Sequence, residues 1–229
     1  MLKPRKDVKI SKKELKEDKF VLAVFKAKDF LEAHAREIMY GVIAVVAVVL
    51  IVSFYNSSRK KAEESASVML SEAQVMLSQG QEDDGIARLN DLADRYEGTE
   101  AAGYATFLLA KHYLDKGDTS KAETFFKKYI DEYGSDKMLL QAAMVGYADC
   151  LVLKKNYKEA ARYYERAARL NPDFPEVPAY IFSAAMAYKQ AGELDKARKL
   201  FREIVEKHER SPYKAQSEIL LKYLEMKVS

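Results

Sequence analysis

The chain has 229 residues, with 38 Lys/Arg against 35 Asp/Glu, three His, one Cys and no Trp. A lone cysteine, Cys150, excludes an intramolecular disulfide framework, and the near-neutral balance of the chain beyond residue 37, a net of −1, gives no electrostatic footprint for nucleic acid. The charge is uneven: residues 1–37 hold eleven basic against seven acidic residues, which leaves 27 against 28 for the rest.

The first segment, residues 1–37, is a charged arm. Lys or Arg stands at positions 3, 5, 6, 9, 12, 13, 16 and 19, and Ser11 followed by Glu14 has the form of a capping box. From Phe20 onward, Val21, Leu22, Val24, Phe25, Phe30 and Leu31 interleave with Lys26, Lys28 and Asp29. The expectation is an amphipathic helix lying at a membrane surface, with a docking helix for a membrane partner as the alternative.

Residues 38–58 follow, with no charge between Glu37 and Arg59. The central run Gly41–Val52, GVIAVVAVVLIV, contains only Gly, Ala and branched aliphatics. At about 1.5 Å per residue a helix of this length crosses roughly 30 Å of hydrocarbon. In lipid every backbone group must be satisfied within the segment, which a helix achieves. Tyr40 at one end and Phe54 and Tyr55 at the other suit the headgroup belts. A buried core helix or strand is the alternative, but uniform apolarity on all faces is more than a soluble helix needs. The run is also too long and too far from Met1 for a cleaved signal peptide. A single transmembrane anchor, Ile38–Ser58, is the expectation. Flanking charge is nearly balanced at close range, Lys19, Lys26, Lys28 and Arg36 against Arg59, Lys60 and Lys61. The whole arm tips it toward a cytoplasmic N-terminus and a distal domain across the membrane.

Residues 59–229 contain a repeat. Gly117-Asp118, Ala122, Phe126 and Tyr129 recur as Asn156-Tyr157, Ala160, Tyr164 and Ala167, and as Gly192-Glu193, Ala197, Phe201 and Ile204. A weaker copy runs Gly80, Gly85, Leu89 and Leu92, so that positions 85, 122, 160 and 197 repeat every 37 or 38 residues. Ahead of each turn, Leu109-Ala110 with Tyr113 matches Tyr147-Ala148 with Leu151 and Ala184-Ala185 with Tyr188. These spacings put the apolar residues on one helical face, so each unit reads as helix, turn, helix. Ala110, Ala122, Ala148, Ala160, Ala185 and Ala197 are expected where paired helices cross closest, with Phe126, Tyr164 and Phe201 filling the space between units. Asn171-Pro172 and Ser211-Pro212 are expected to end second helices, and residues 211–226 to form a terminal cap.

The pattern L-A-x-x-Y … G-D … A … F in Leu109–Phe126 resembles the tetratricopeptide repeat, in four copies over about residues 62–209. Thr106, Met144 and Ile181 stand where that family usually has Trp, and the extra residues of the period fall in places such as Asp173–Pro178. The resemblance implies an all-α fold: a right-handed solenoid of helical hairpins, preceded here by the transmembrane helix. The layout of arm, anchor and repeat domain also resembles the single-span ancillary subunit family of the Sec translocon. That resemblance implies a bacterial inner-membrane protein with its repeats in the periplasm, contacting translocon, chaperone or envelope-assembly components.

Catalysis needs convergent titratable groups, and His34, His112 and His208 share no metal-ligand spacing. Cys150 beside Ala148 and Leu151 reads as a buried structural thiol, and no glycine-rich phosphate loop is present. No enzyme, cofactor or metal is expected. A solenoid offers instead a groove lined by the first helix of each unit. Leu70, Gln74, Tyr104, Phe107, Lys111, Val145, Asp149, Phe182 and Met186 are the expected lining, with about half of them serving the core. Leu70, Phe107, Val145 and Phe182 occupy equivalent places and would form an apolar line for a helix or an extended chain. The paired Lys and Asn that clamp a peptide carboxylate in some members of the family are absent at 107, 111, 145 and 149. The expected function is a membrane-anchored protein-binding scaffold, and the alternative is a self-assembling structural module of the membrane.

Overall fold

The computed structural model describes residues 12–226, which form ten helices. The capping box at Ser11 and the basic residues at 3, 5, 6 and 9 lie outside the described residues. Two compact units divide the chain at Ser58 and Arg59.

In the first unit, helix α1 (Lys12–Ala33) is followed by the start of α2 (Ala35–Ser78). The apolar run lies within α2, and its Val, Ile and Leu side chains are all exposed, from Val42 through Val52. It is long and apolar enough to cross a membrane. Helix α1 departs from expectation. At 100° per residue Val21 and Phe25 fall on one side, Phe30 nearly opposite, and Leu22 and Leu31 between, so the apolar residues circle the helix instead of forming a stripe.

In the second unit, the remainder of α2 pairs with α3 (Glu82–Arg95). Next come α4 (Glu100–Asp115) with α5 (Thr119–Glu132), α6 (Lys137–Leu153) with α7 (Tyr157–Leu170), and α8 (Val177–Gln190) with α9 (Leu194–Lys207). Helix α10 (Lys214–Met226) packs on α9. Each hairpin also touches the next, α3 against α4, α5 against α6 and α7 against α8. This is a tetratricopeptide-type solenoid. Alanine sets the spacing: Ala110, Ala122, Ala148, Ala160, Ala185 and Ala197 have no exposed surface at all. Phe126, Tyr164 and Phe201 fill the gaps beside them and are buried as well. Gly85 and Gly146 extend the same logic. A methyl group at Gly146 would lie 2.3 Å from the Phe126 ring, and one at Gly85 2.7 Å from Leu77. Gly85 therefore sits where a closer crossing leaves no room for the alanine of the other units.

Every hairpin turn is built the same way. The N–H groups of Gln81, Asp118, Asn156 and Glu193 donate to the carbonyls of Met76, Tyr113, Leu151 and Tyr188, at 2.8–2.9 Å. This six-to-one bond closes the first helix and requires a left-handed residue just before the donor. Gly80, Gly117 and Gly192 supply it with φ near +79°, +79° and +77°. The third unit uses Lys155 at φ +63°. The turn register is thus Lys155-Asn156, one residue earlier than the Asn156-Tyr157 of the sequence reading, because hydrogen bonding places the left-handed residue five before Ala160. Asn171 caps α7 as expected, whereas α9 stops at Lys207, ahead of Ser211-Pro212.

A side chain in the left-handed region costs roughly 1–2 kcal/mol, part of which glycine gives back through its freer unfolded chain. Lys155→Gly should therefore stabilise the protein by about 0.5–1 kcal/mol in denaturant melts, and Gly117→Ala should destabilise it by at least as much. A Lys155→Gly variant less stable than the parent would contradict the shared turn geometry.

Candidate functional site: the face of the first helices

The first helices of the hairpins are held by their N-termini. Thr99 accepts from the Ala102 N–H at 3.1 Å, and the Glu63 carboxylate reaches from α2 to the N–H groups of Glu100 and Ala101 at 2.7 and 3.1 Å. Three of the four orphan donors of α4 are so satisfied. Asp136 does the same for α6 through the N–H groups of Met138 and Leu139. The starts of α4 and α6 are therefore fixed, and so is the direction of the side chains along each helix.

On α6 the positions Met138, Ala142, Val145, Asp149 and Leu153 follow one another at intervals of three or four residues, on one side of the helix. Met138 and Leu153 are 59% and 61% exposed, and Ala142, Val145 and Asp149 between them are half-buried. An apolar stripe thus surrounds one carboxylate. Tyr164 of α7 donates its hydroxyl to Asp149. Burial lifts the Asp149 carboxyl above its ordinary range, with the Tyr164 hydrogen bond opposing the shift. The same desolvation, reinforced by the neighbouring Asp149 charge, keeps the Tyr164 phenol protonated.

The nine expected lining residues divide. Leu70, Tyr104, Val145, Asp149 and Met186 are half-buried, and Gln74 and Lys111 are exposed. Tyr104 borders a hollow of about 580 Å³ with Arg59, Glu100, Tyr133 and Leu139. Phe107 is buried, and Phe182 is half-buried like Leu70 and Val145. Phe107 is only 8% exposed and meets Phe126 and Tyr129 of α5 edge-on, with ring centroids 6.1 and 5.7 Å apart. Phe182 is half-buried between Phe201 at 5.7 Å and Tyr213 at 5.0 Å. Both rings are long enough to reach the second helix of their own hairpin, so they serve the core. Val145, at the equivalent place, is too short for that reach and is half-buried against the same core. Burial of Phe107 interrupts the apolar line through Leu70, Val145 and Phe182, and a further apolar stripe runs along α6. Met138 and Leu153 were missed, although their spacing from Val145 and Asp149 is legible as one helical face.

Other reactive groups sit elsewhere. Cys150 has no exposed surface, and burial pushes its thiol up to about 11, far from the thiolate a nucleophile needs. His34 bonds the Phe30 carbonyl at 3.0 Å, and His112 lies 3.4 Å from Glu82. Among the described residues, no three His, Cys, Asp or Glu side chains converge in a metal-binding group.

Similarity to known proteins agrees with this geometry. The tetratricopeptide repeat-like domain family matches residues 28–174, more than half the chain, and a tetratricopeptide repeat family matches residues 151–216. Solved structures share the fold. MamA from Desulfovibrio magneticus RS-1 is 17% identical, with 71% of this chain and 84% of that one covered and a TM-score of 0.54. Pseudomonas aeruginosa PilF is 16% identical, covers 72% and 71%, and has a TM-score of 0.52. Kinesin light chain TPR-like repeats from Podosopora anserina are 14% identical over 71% and 86%, with a TM-score of 0.54. No curated protein matches. With the hairpins, their shared turns and the family match in agreement, the chain belongs to the tetratricopeptide repeat-like domain family.

Proposed function

We propose that this protein is a membrane-anchored scaffold that holds a segment of a partner protein against the first-helix face of its repeats. The observation that carries the reading is the α6 stripe, where Met138, Ala142, Val145 and Leu153 leave apolar surface open around Asp149. Apolar surface of this kind, with one polar group to fix register, suits an amphipathic helix or extended chain. Burying a carboxylate there costs stability, as functional positions commonly do. A segment that donates a hydrogen bond or a positive charge to Asp149 would offset that cost.

The anchor in this reading is Ile38–Ser58, the apolar part of α2. The family match starts at residue 28 and so runs through this stretch as well as the repeats. Confining both partners to a membrane layer raises their effective concentration, so modest groove contacts suffice. With the arm cytoplasmic and the repeats across a bacterial inner membrane, translocating or envelope-assembling chains are the natural clients, and the role is that of an accessory factor in translocation or envelope assembly.

Three outcomes test the proposal. A reporter active only outside the cytoplasm, fused after Ser229, should be active; inactivity would reverse the topology and turn the search to cytosolic partners. Val145→Asp with Met186→Asp should abolish partner retention, at a smaller cost in stability than truncating a fully packed core residue because both side chains are only half-buried. Phe107→Ala should instead cost about 3–5 kcal/mol of stability, as buried aromatic truncations do. Retention that survives the double substitution would reject the face.

The third outcome concerns pH. The folded-state pKa of Asp149 lies above its unfolded value, so its cost is absent below the unfolded pKa and grows as pH rises through the folded one. Asp149→Asn keeps an acceptor for Tyr164 and removes the charge. The variant should be more stable than the parent at neutral pH, with the gap closing below about pH 4. An equal gap at every pH would contradict the burial argument.

A further inference from the structure

The two ends of the repeat unit expose matching apolar stripes that the groove does not use. On α2, Val68 and Val75 are 60% and 52% exposed, one heptad apart, with the small residues Ser71 and Ser78 on the same side. The serine hydroxyls are already spent. Ser71 donates to the Ser67 carbonyl at 2.9 Å and Ser78 to the Val75 carbonyl at 2.8 Å, so covering this seam strands no donor. On α10, Ile219, Tyr223 and Met226 are 69%, 48% and 64% exposed at intervals of four and three residues, on the side away from buried Ser217 and Leu224. Each stripe spans seven residues, about 10.5 Å of helix. One is built of small residues and the other of large ones, the condition for knobs of one helix to enter the grooves of another.

Charge selects which stripes meet. Residues 62–97, which hold the α2 seam and α3, carry nine acidic and two basic residues, a net of −7. Residues 194–226, which hold α9 and α10, carry eight basic and six acidic residues, a net of +2. Pairing like ends, α2 with α2 or α10 with α10, brings like charge together; pairing unlike ends brings opposite charge together.

We propose that the α10 stripe of one copy docks on the α2 seam of a second copy, so that the repeat units associate head to tail. The contact is heterologous, so each bound copy presents a fresh α2 seam or α10 stripe to the next. The first-helix face remains open, and successive copies display it in series.

The test uses the full chain in detergent, followed by light scattering and sedimentation. The parent should grow beyond a dimer with concentration at low salt and dissociate toward monomer as salt rises. Val75→Asp alone and Ile219→Asp alone should each raise the dissociation constant more than about tenfold and leave monomers. Mixed in equal amounts the two variants should form a dimer that grows no further, since Val75→Asp keeps a sound α10 and Ile219→Asp a sound α2. Any of three results would overturn the proposal: a monomeric parent at high concentration, association untouched by both substitutions, or association lost in the Ile219→Asp variant but intact in the Val75→Asp variant. Because Val75 and Ile219 lie away from Val145 and Met186, loss of stacking with partner retention intact leaves the groove reading standing.

Discussion

Close approach between paired helices is the constraint from which the rest of the structure follows. Ala110, Ala122, Ala148, Ala160, Ala185 and Ala197 are without exposed surface because the backbones they join leave no room for a larger side chain. Small residues at the crossing leave a gap to either side, which Phe126, Tyr164 and Phe201 close. Where the approach is tighter still, glycine replaces alanine, as at Gly146 against the Phe126 ring. The crossing also fixes the turn, since a hairpin this tight ends its first helix on a left-handed residue. Three units spend a glycine there, and the third accepts the strain of Lys155.

Much of this was legible in the residues. The spacing of Gly85, Ala122, Ala160 and Ala197 marks the crossings directly, because only small side chains fit there, and the apolar run at 38–58 announces a helix by length alone. The turn of the third unit was misread by one residue, because the rule that left-handed residues are glycine fails at Lys155. The arm was misread for a different reason. Interleaved charges and apolar residues suggest two faces, but the angular positions of Val21, Leu22, Phe30 and Leu31 scatter around the axis.

The face of the first helices was the least legible part, and Phe107 shows why. Equivalent positions in a repeat share a backbone location but not a side-chain reach. A phenyl ring at 107 crosses to Phe126 and Tyr129 and a ring at 182 reaches Phe201 and Tyr213, whereas the short isopropyl group of Val145 is half-buried with part of its surface open. Pattern matching across units therefore predicted one apolar line through four hairpins. Packing leaves open apolar surface along α6, around a carboxylate held by Tyr164, as well as the stripes on α2 and α10. A single helix face with one buried charge is a more selective surface than four equivalent apolar residues would be.

In the proposed function, this α6 face is where a partner segment lies. Photo-crosslinking in intact cells addresses it directly, with a photoreactive residue placed in turn at Val145, at Leu153 and, on a second helix, at Lys199. A discrete crosslinked product is expected from Val145 and Leu153 and none from Lys199. A product from Lys199 alone, or from all three sites equally, would contradict it.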